Sequence, residues 1–130
     1  ALWAGVGMRI EEMDMYVHDQ VLARVSHLPH IIAFSVMNAM RAAHLPGVDP
    51  LAYAGSAFDS LTRVAASPVE MWRDICQSNR DALLAALTEF EAALAQMKAA
   101  IANGDKAALS QAMNDARTER HRLTKLREKK

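Results

Sequence analysis

Residues 15–43 read MYVHDQVLARVSHLPHIIAFSVMNAMRAA, with apolar side chains at spacings of three and four residues. This spacing is typical of one face of a helix, and Asp14 stands in front of it as a helix cap. The pattern therefore predicts one long helix. Its breaker is Pro29, which lacks an amide N–H and crowds the carbonyl of Val25 four residues earlier. We expect the helix to kink or to open locally at residues 26–30.

The composition of the whole chain agrees with a helical fold. The 130 residues are 52% hydrophobic and 23% charged, which suits one globular domain. Alanine occurs 25 times, whereas Val, Ile and Thr together occur 17 times, and this balance favours helix over sheet. An all-β or doubly wound fold is excluded, and so is a complete nucleotide-dependent dehydrogenase, which needs several Val/Ile-rich strands and a Gly-rich turn. We predict an all-α fold.

The remaining elements follow from caps, turns and helical spacing. Residues 1–6 suggest the end of a helix, residues 8–13 suit one short strand, and residues 45–50 form a loop from which a helical segment starts at Pro50. Further helices are predicted over residues 57–66, over residues 81–101 and from Lys106 towards Arg127. Another is predicted from Ser67-Pro68 through Ile75, with Ser67 as its N-cap and Pro68 in its first turn. Asn79 either interrupts a helix or faces outward, and Asn103-Gly104-Asp105 ends one helix and caps the next.

Charge and cysteine content limit the possible partners and compartment. Lys and Arg number 15 and Asp and Glu number 15, so the zero net charge gives no bulk electrostatic case for nucleic acid binding. The longest stretch without these charges, residues 25–40, is too short and too polar for a membrane span. Cys76 is the single cysteine, which fits a reducing cytoplasm. We therefore predict a cytoplasmic protein without nucleic acid or membrane partners.

Histidines give the sharpest local signal. Four of the five lie within the first 44 residues, and two flank the proline in Ser26-His27-Leu28-Pro29-His30. Ser26 and His30 are four residues apart and share a helix face, so a hydroxyl and an imidazole there could bind a carboxylate or hydroxyl, or could form a helix-internal hydrogen bond. A metal is not expected, because neither a Cys pair nor a further ligand accompanies the two histidines. Acyl transfer also lacks an orienting acid and a Gly-rich elbow.

A second group combines Asp59, Arg63 and Trp72. Arg63 follows Asp59 by four residues, which is the spacing of an exposed ion pair on a helix. The alternative is a bidentate guanidinium clamp for a carboxylate substrate, because planar Arg can pair with two oxygens. Trp72 is either a core residue or a wall of that ligand site.

Read in order, these segments resemble the C-terminal domain of the prephenate dehydrogenases, the oxidoreductases of tyrosine biosynthesis. The matching segments are His18-Asp19, Ala23, Ser26-His27-Leu28-Pro29-His30, Phe58, Thr62-Arg63-Val64-Ala65, Ser67-Pro68, Met71-Trp72-Arg73-Asp74-Ile75 and Asn79. The order and spacing match across roughly residues 1–80, and the later helices match in character only.

The resemblance implies an all-helical domain related to that of 6-phosphogluconate dehydrogenase, which forms an intertwined homodimer and follows a nucleotide-binding Rossmann domain. Residues 1–14 would then be the remnant of the nucleotide-binding domain, and residues 15–130 the helical substrate-binding and dimerisation domain. The catalytic histidine and most of the NAD or NADP site would lie in the missing domain. The chain is therefore expected to be inactive by itself.

The activity implied by the resemblance is oxidative decarboxylation of prephenate to 4-hydroxyphenylpyruvate with NAD(P)+. Carried over by position, Arg63 would bind a substrate carboxylate, and Ser26 and His30 would hydrogen-bond the substrate, with His27 as a weaker candidate. Trp72 would line the pocket, from the same subunit or across the dimer, and His18 would act behind the substrate contacts or between domains. No metal is implied.

The chain departs from the family after Phe58, where a basic residue and then Asp are usual but Asp59 and Ser60 stand. The Asp that would orient Arg63 from three residues away is missing, and Asp59 is its possible substitute. Substrate preference therefore stays open between prephenate and arogenate. The alternative from another class is a non-catalytic helical dimerisation or regulatory module, in which Arg63 does no more than pair with Asp59.

Overall fold

In a computed structural model of the chain, the structure describes residues 12–129. Six α-helices, one π-helical turn and two 3₁₀ turns account for most of this range: α1 Met15–Leu22, the π turn Ala23–His27, α2 Leu28–Ala42, a 3₁₀ turn Pro50–Tyr53, α3 Ser56–Thr62, a 3₁₀ turn Arg63–Ala66, α4 Val69–Ser78, α5 Arg80–Ala102 and α6 Lys106–Glu128. Within residues 12–129 there is no sheet, and Leu45 and Val48 form an isolated antiparallel bridge. The prediction of an all-α fold is confirmed.

The first predicted helix is present but is not α-helical throughout. Asp14 caps it as expected, with its carboxylate accepting hydrogen bonds from the amides of Tyr16 and Val17 at 2.9 and 3.3 Å. The π turn separates α1 from α2, and the amide of Leu28 donates to the carbonyl of Ala23, five residues earlier.

The predicted opening of this helix is confirmed, but its position is corrected. It starts at Ala23 rather than Ser26, because the proline ring crowds the turn that precedes it and the missing N–H of Pro29 leaves that turn without an α-helical hydrogen bond. The wider turn therefore lies wholly on the N-terminal side of Pro29.

The segment between α2 and α4 matches the predicted loop and helices, with one correction. Asp49 caps the 3₁₀ turn that starts at Pro50, accepting from the amide of Leu51 at 3.0 Å. The helix predicted over residues 57–66 is divided into α3 and a 3₁₀ turn. The assignment of Ser67 as the cap of α4 is wrong, because the carbonyl of Pro68 accepts the first helical hydrogen bond, from Trp72 N–H at 3.2 Å, and Pro68 itself is the cap.

The last two helices agree with the sequence. Asn79 lies between α4 and α5 and interrupts the helix there, with φ −113° and ψ 37°. It therefore does not merely face outward from a continuous helix. The turn after α5 contains Gly104 at φ +63°, a left-handed conformation that glycine adopts without strain. Asp105 then caps α6 by accepting from the amide of Ala108 at 2.9 Å.

The chain divides into two compact units, with the boundary between Leu87 and Thr88. In the first unit, Ala23, Ala82 and Ala86 form a buried cluster against which Leu28 packs. The other buried hydrophobic residues of that unit are Ala33, Trp72 and Leu83. In the second unit, Ala100 is the one buried hydrophobic residue among those described. Small side chains therefore dominate both interiors.

Two predictions concern the start of the chain. The helix end over residues 1–6 and most of the strand over residues 8–13 lie outside the described residues, and Glu12 to Asp14 belong to neither a helix nor a strand. The division into residues 1–14 and 15–130 remains a prediction. Among the helices that the structure describes, none combines the length and the apolar character that crossing a membrane requires.

Candidate functional site

Trp72 brings the two histidines of the Ser26–His30 segment together. The indole lies on α4 and is 6% exposed. His30, on α2, stacks on it with ring centroids 3.6 Å apart and planes inclined by 19°. His27, on the π turn, meets the same indole edge-on at 6.1 Å and 82°. Three of the predicted site residues thus form one cluster, and Trp72 is both a core residue and their common contact.

His27 is the buried member of this cluster, at 8% exposed. Its Nδ1 lies 3.3 Å from the side-chain nitrogen of Asn79, which also donates to the carbonyl of Asp19 at 2.8 Å. Burial lowers the pKa of His27 below its usual value; the carboxylate of Asp19 opposes this shift, and the nearby His30 and His18 add to it. His27 is therefore held as a neutral imidazole near neutral pH.

His30 hydrogen-bonds the backbone, not the hydroxyl, of Ser26. Its Nδ1 donates to the Ser26 carbonyl at 2.9 Å. Because helical side chains point back towards the N-terminus, the ring lies over the preceding turn and meets that carbonyl. Of the two alternatives, the structure shows a helix-internal hydrogen bond, which uses the Ser26 backbone, and the binding of a carboxylate or hydroxyl by Ser26 and His30 stays a prediction.

Arg63 is exposed and lies on the 3₁₀ turn that packs against α2, the helix of His30. Within residues 12–129 neither Arg63 nor Asp59 forms an ion pair, so the predicted Asp59–Arg63 pair is wrong. The backbone spacing of an i,i+4 pair is present, because the Arg63 amide donates to the Asp59 carbonyl, so the missing ion pair reflects the placement of the two side chains and not a break in the helix. The guanidinium is left available to an anionic ligand.

His18 lies at the surface beside Asp19, with Nδ1 3.1 Å from its carboxylate. The structure does not bring its ring into the Trp72 cluster, so its role behind the substrate contacts remains a prediction. Asn79, in contrast, contacts His27 directly. The sequence indicated it as a helix interruption and as a family-matching position, without a role in the site. The signal that could have found it is its place between two helices, where an amide side chain is free to reach another element.

Two open grooves flank the cluster. A polar groove of about 310 Å³ borders Asn79, with Asp19, Gln20 and Arg80 among its walls. A more apolar groove of about 300 Å³ borders Trp72. Its other lining residues are Ile31, Phe34, Asn38, Val69, Arg73 and Cys76. Burial raises the pKa of the Cys76 thiol, which favours its protonated form.

Within residues 12–129, no three His, Cys, Asp or Glu side chains lie close enough together to hold a metal ion. The sequence also lacks the usual dinucleotide-binding turn. Its five glycines, at positions 5, 7, 47, 55 and 104, do not form the G-x-G-x-x-G turn that receives a pyrophosphate. The imidazoles of His27 and His30 and the guanidinium of Arg63 are groups that can bind an anionic or hydroxylated ligand.

Comparison with known families gives the site its context. The profile of the family described as "Prephenate dehydrogenase, dimerization domain" matches residues 14–115. The chain belongs to this family. The resemblance of its motifs to the C-terminal domain of the prephenate dehydrogenases is thereby confirmed.

Individual relatives carry the same name or a related one. The cyclohexadienyl dehydrogenase of Zymomonas mobilis is 39% identical over 104 residues, which are 79% of this chain and 36% of that protein. The prephenate dehydrogenase of Bacillus subtilis is 36% identical over 85 residues, or 64% of this chain and 22% of that protein. The chain thus spans about a third or less of the length of these relatives.

A solved structure agrees with the sequence relatives. The prephenate dehydrogenase from A. aeolicus, in complex with hydroxyphenyl propionate and NAD+, superposes with a TM-score of 0.87 at 33% sequence identity. The match covers 94% of this chain and 43% of that chain. The helical architecture described above is therefore that of the dimerization domain of these dehydrogenases.

Proposed function

We propose that the chain is the substrate-binding and dimerisation part of a prephenate dehydrogenase. The observation that carries the proposal is the likeness to the A. aeolicus enzyme, which was solved with hydroxyphenyl propionate and NAD+. Hydroxyphenyl propionate is a phenol with a carboxylate side chain, and so is the product 4-hydroxyphenylpyruvate. The proposed reaction converts prephenate and NAD(P)+ into 4-hydroxyphenylpyruvate, carbon dioxide and NAD(P)H.

The residues of this chain would perform the substrate half of that reaction. Prephenate carries two carboxylates, and the exposed guanidinium of Arg63 would bind one of them through two parallel hydrogen bonds. Ser26 and His30 would hydrogen-bond the substrate side chain, with His27 as a further contact and Trp72 as the wall behind both imidazoles. No strong base on carbon is required, because aromatisation of the ring drives the loss of carbon dioxide.

The dinucleotide and the catalytic histidine are assigned to protein outside these 130 residues. The chain lacks the Gly-rich turn, and it spans 36% of the Zymomonas mobilis enzyme, which leaves length there for a separate nucleotide-binding domain. When bound, the nicotinamide supplies the hydride acceptor. We propose that residues 1–14 belong to that domain, that residues 15–130 alone do not turn over substrate, and that the enzyme is cytoplasmic.

A homodimer is the second part of the proposal. The family is named for dimerization, and many large apolar side chains remain exposed, among them Leu94 at 53% and Ile101 at 65%. A chain of this size whose buried residues are mostly alanine leaves apolar faces that a second copy would cover.

Substitution of Arg63 tests the substrate clamp. In the enzyme that contains this chain, Arg63→Ala is expected to lower kcat/KM for prephenate by about 10- to 100-fold, because a charged hydrogen-bond partner of the carboxylate is lost. The kcat/KM of Arg63→Lys should lie between those of the wild type and Arg63→Ala, since lysine keeps the positive charge but lacks the planar guanidinium. Arg122→Ala, which removes an exposed guanidinium from α6, is the matched control.

An unchanged kcat/KM in Arg63→Ala would remove the clamp and favour the non-catalytic dimerisation or regulatory module. Assaying prephenate and arogenate in parallel separates the two substrates. A greater loss with prephenate is expected if Arg63 binds the carboxylate of the pyruvyl side chain, because arogenate carries an amino group beside that carboxylate.

A further inference from the structure

Asn79 connects three elements of the first unit. It ends α4, and its side chain reaches α1, where the amide nitrogen donates to the carbonyl of Asp19 at 2.8 Å. The same nitrogen lies 3.3 Å from Nδ1 of His27, on the π turn. These contacts span 60 and 52 residues of sequence, so they depend on the tertiary fold and not on local helix geometry.

The chemistry of the amide decides which nitrogen of His27 carries the proton. A side-chain amide nitrogen has two hydrogens and no free lone pair, so it can only donate. One hydrogen goes to the Asp19 carbonyl and the other points to His27 Nδ1, which must accept. The ring proton of His27 therefore resides on Nε2, and Nε2–H is a donor.

His30 has the opposite arrangement. Its Nδ1 faces the carbonyl oxygen of Ser26, which can only accept, so Nδ1 carries a proton and is the donor. The two imidazoles on one indole thus differ at Nδ1, which accepts in His27 and donates in His30.

We propose that Asn79 is a positioning residue that fixes His27 in its Nε2–H tautomer, so that His27 offers the substrate a hydrogen-bond donor. The assignment of a substrate to these rings rests on the proposed function. The tautomer itself does not, because it follows from the contacts of Asn79.

The surroundings of His27 agree with a neutral donor. Its ring is 8% exposed, and Asn79 and Trp72, which face it from α4, are uncharged. The titratable groups that act on it are Asp19 and His18 on α1 and His30 on α2. Among these groups, Asp19 alone raises the pKa of His27. The amide of Asn79 is neutral, so its contact with Nδ1 adds no second carboxylate that would favour the charged ring.

The test replaces the donor by an acceptor of the same size. In protein labelled with ¹⁵N at histidine, Nδ1 of His27 in the wild type is expected to show the shift of an unprotonated ring nitrogen, with His27→Gln identifying the signal. In Asn79→Asp the carboxylate accepts instead, so Nδ1 should gain a proton and its shift should move to the protonated range.

Two controls and a second variant keep the result interpretable. Ser78→Ala removes another hydrogen bond at the end of α4, from Ser78 to the Ile75 carbonyl, and should leave the His27 shifts unchanged. Asn114→Asp makes the same chemical change on exposed α6 and should also be silent. If Asn79→Asp does not fold, Asn79→Ala tests the same point, because His27 then loses its fixed partner and both tautomers should appear.

Kinetics separates the inference from the proposed function. In the enzyme that contains this chain, kcat/KM for prephenate should fall by about tenfold or more in Asn79→Asp, with Ser78→Ala within about twofold of wild type. A tautomer change without a kinetic change supports Asn79 as the positioning residue and removes His27 from the substrate site. His27 shifts that do not change in either Asn79 variant overturn the inference, whatever the kinetics.

Discussion

The two units of the chain are built in contrasting ways. In residues 12–87, side chains distant in sequence meet: Trp72 contacts His27 and His30, and Asn79 bonds back to α1. In residues 88–129, the side-chain hydrogen bonds of α6 run along the helix, such as Gln111 to Asp115. The first unit therefore fixes a polar cluster by its own packing, whereas these side-chain hydrogen bonds of α6 stay within one helix.

Buried hydrophobic residues sharpen this contrast, whereas exposed large apolar residues occur in both units. The second unit leaves Leu94, Ile101, Met113, Leu123 and Leu126 between 40% and 65% exposed, and Ala100 alone is buried among its described hydrophobic residues. In the proposed homodimer, a unit with so small an interior would gain stability from surfaces that the second copy covers. We therefore expect substitutions in the first unit to act within one chain, and those in the second to act on assembly.

The largest effect is expected from Trp72→Ala. The substitution removes the buried indole against which both imidazoles pack and should lower the free energy of unfolding by about 3–5 kcal/mol, as for other buried aromatic residues. Chemical denaturation followed by circular dichroism measures it.

Trp72→Phe is the informative control. The indole Nε1 is buried without a hydrogen-bond partner within residues 12–129, so loss of that N–H should cost little and the ring should keep most of its packing. A loss in Trp72→Phe as large as that in Trp72→Ala would contradict the stacking argument and indicate that Nε1 has a partner in the assembled protein.

The next effect concerns assembly by the second unit. Leu94 and Ile101 are seven residues apart on α5 and share a face, so Leu94→Glu with Ile101→Glu should raise the dimer dissociation constant by at least about 100-fold through burial of charge. Sedimentation at micromolar concentration measures it, and the helical content of each monomer should persist.

The matched control for this double variant is Ala92→Glu with Ala99→Glu. Both alanines are exposed on the same helix and lie about 200° around it from the Leu94 face, so the charge is the same but the surface differs. A wild-type protein that sediments as a monomer, or equal loss of assembly in both double variants, would place the dimer contact elsewhere.

The helices could be predicted from the sequence because their signals are local. Asp14, Asp49 and Asp105 each precede an apolar or helical run and cap it as expected, and the opening near Pro29 follows from the missing amide. Caps and proline effects act within one turn, which is the range that spacing in the sequence can report.

The arrangement of the site was only partly predictable. Residue types and the family resemblance indicated Ser26, His27, His30 and Trp72, but the stacking of His30 on the indole and the contact of Asn79 with His27 depend on how α4 packs. Asp59 and Arg63 keep the i,i+4 backbone relation, with the Arg63 amide bonded to the Asp59 carbonyl, and yet their side chains form no ion pair, because that spacing permits a pair between exposed side chains without enforcing it. Tertiary packing determines these contacts, and the residue spacing in a single sequence does not report how distant helices pack.

The smallest expected effect is the pH dependence contributed by His27, which tests whether the first unit holds this ring neutral. Burial lowers its pKa in the folded protein from the usual value of 6.5, so the unfolded chain binds more protons between the two values and stability decreases as the pH falls below about 6.5. Above pH 6.5 the ring is neutral in both states, so it adds no pH dependence to the stability.

Thermal unfolding from pH 8 to 5 should therefore show a shallower decrease of stability with falling pH in His27→Gln than in wild type. His44→Gln, at an exposed position, should keep the wild-type slope. An equal slope in all three proteins would show that His27 titrates as it does in the unfolded chain, and the first unit would then lack the buried, neutral imidazole that distinguishes it from the second.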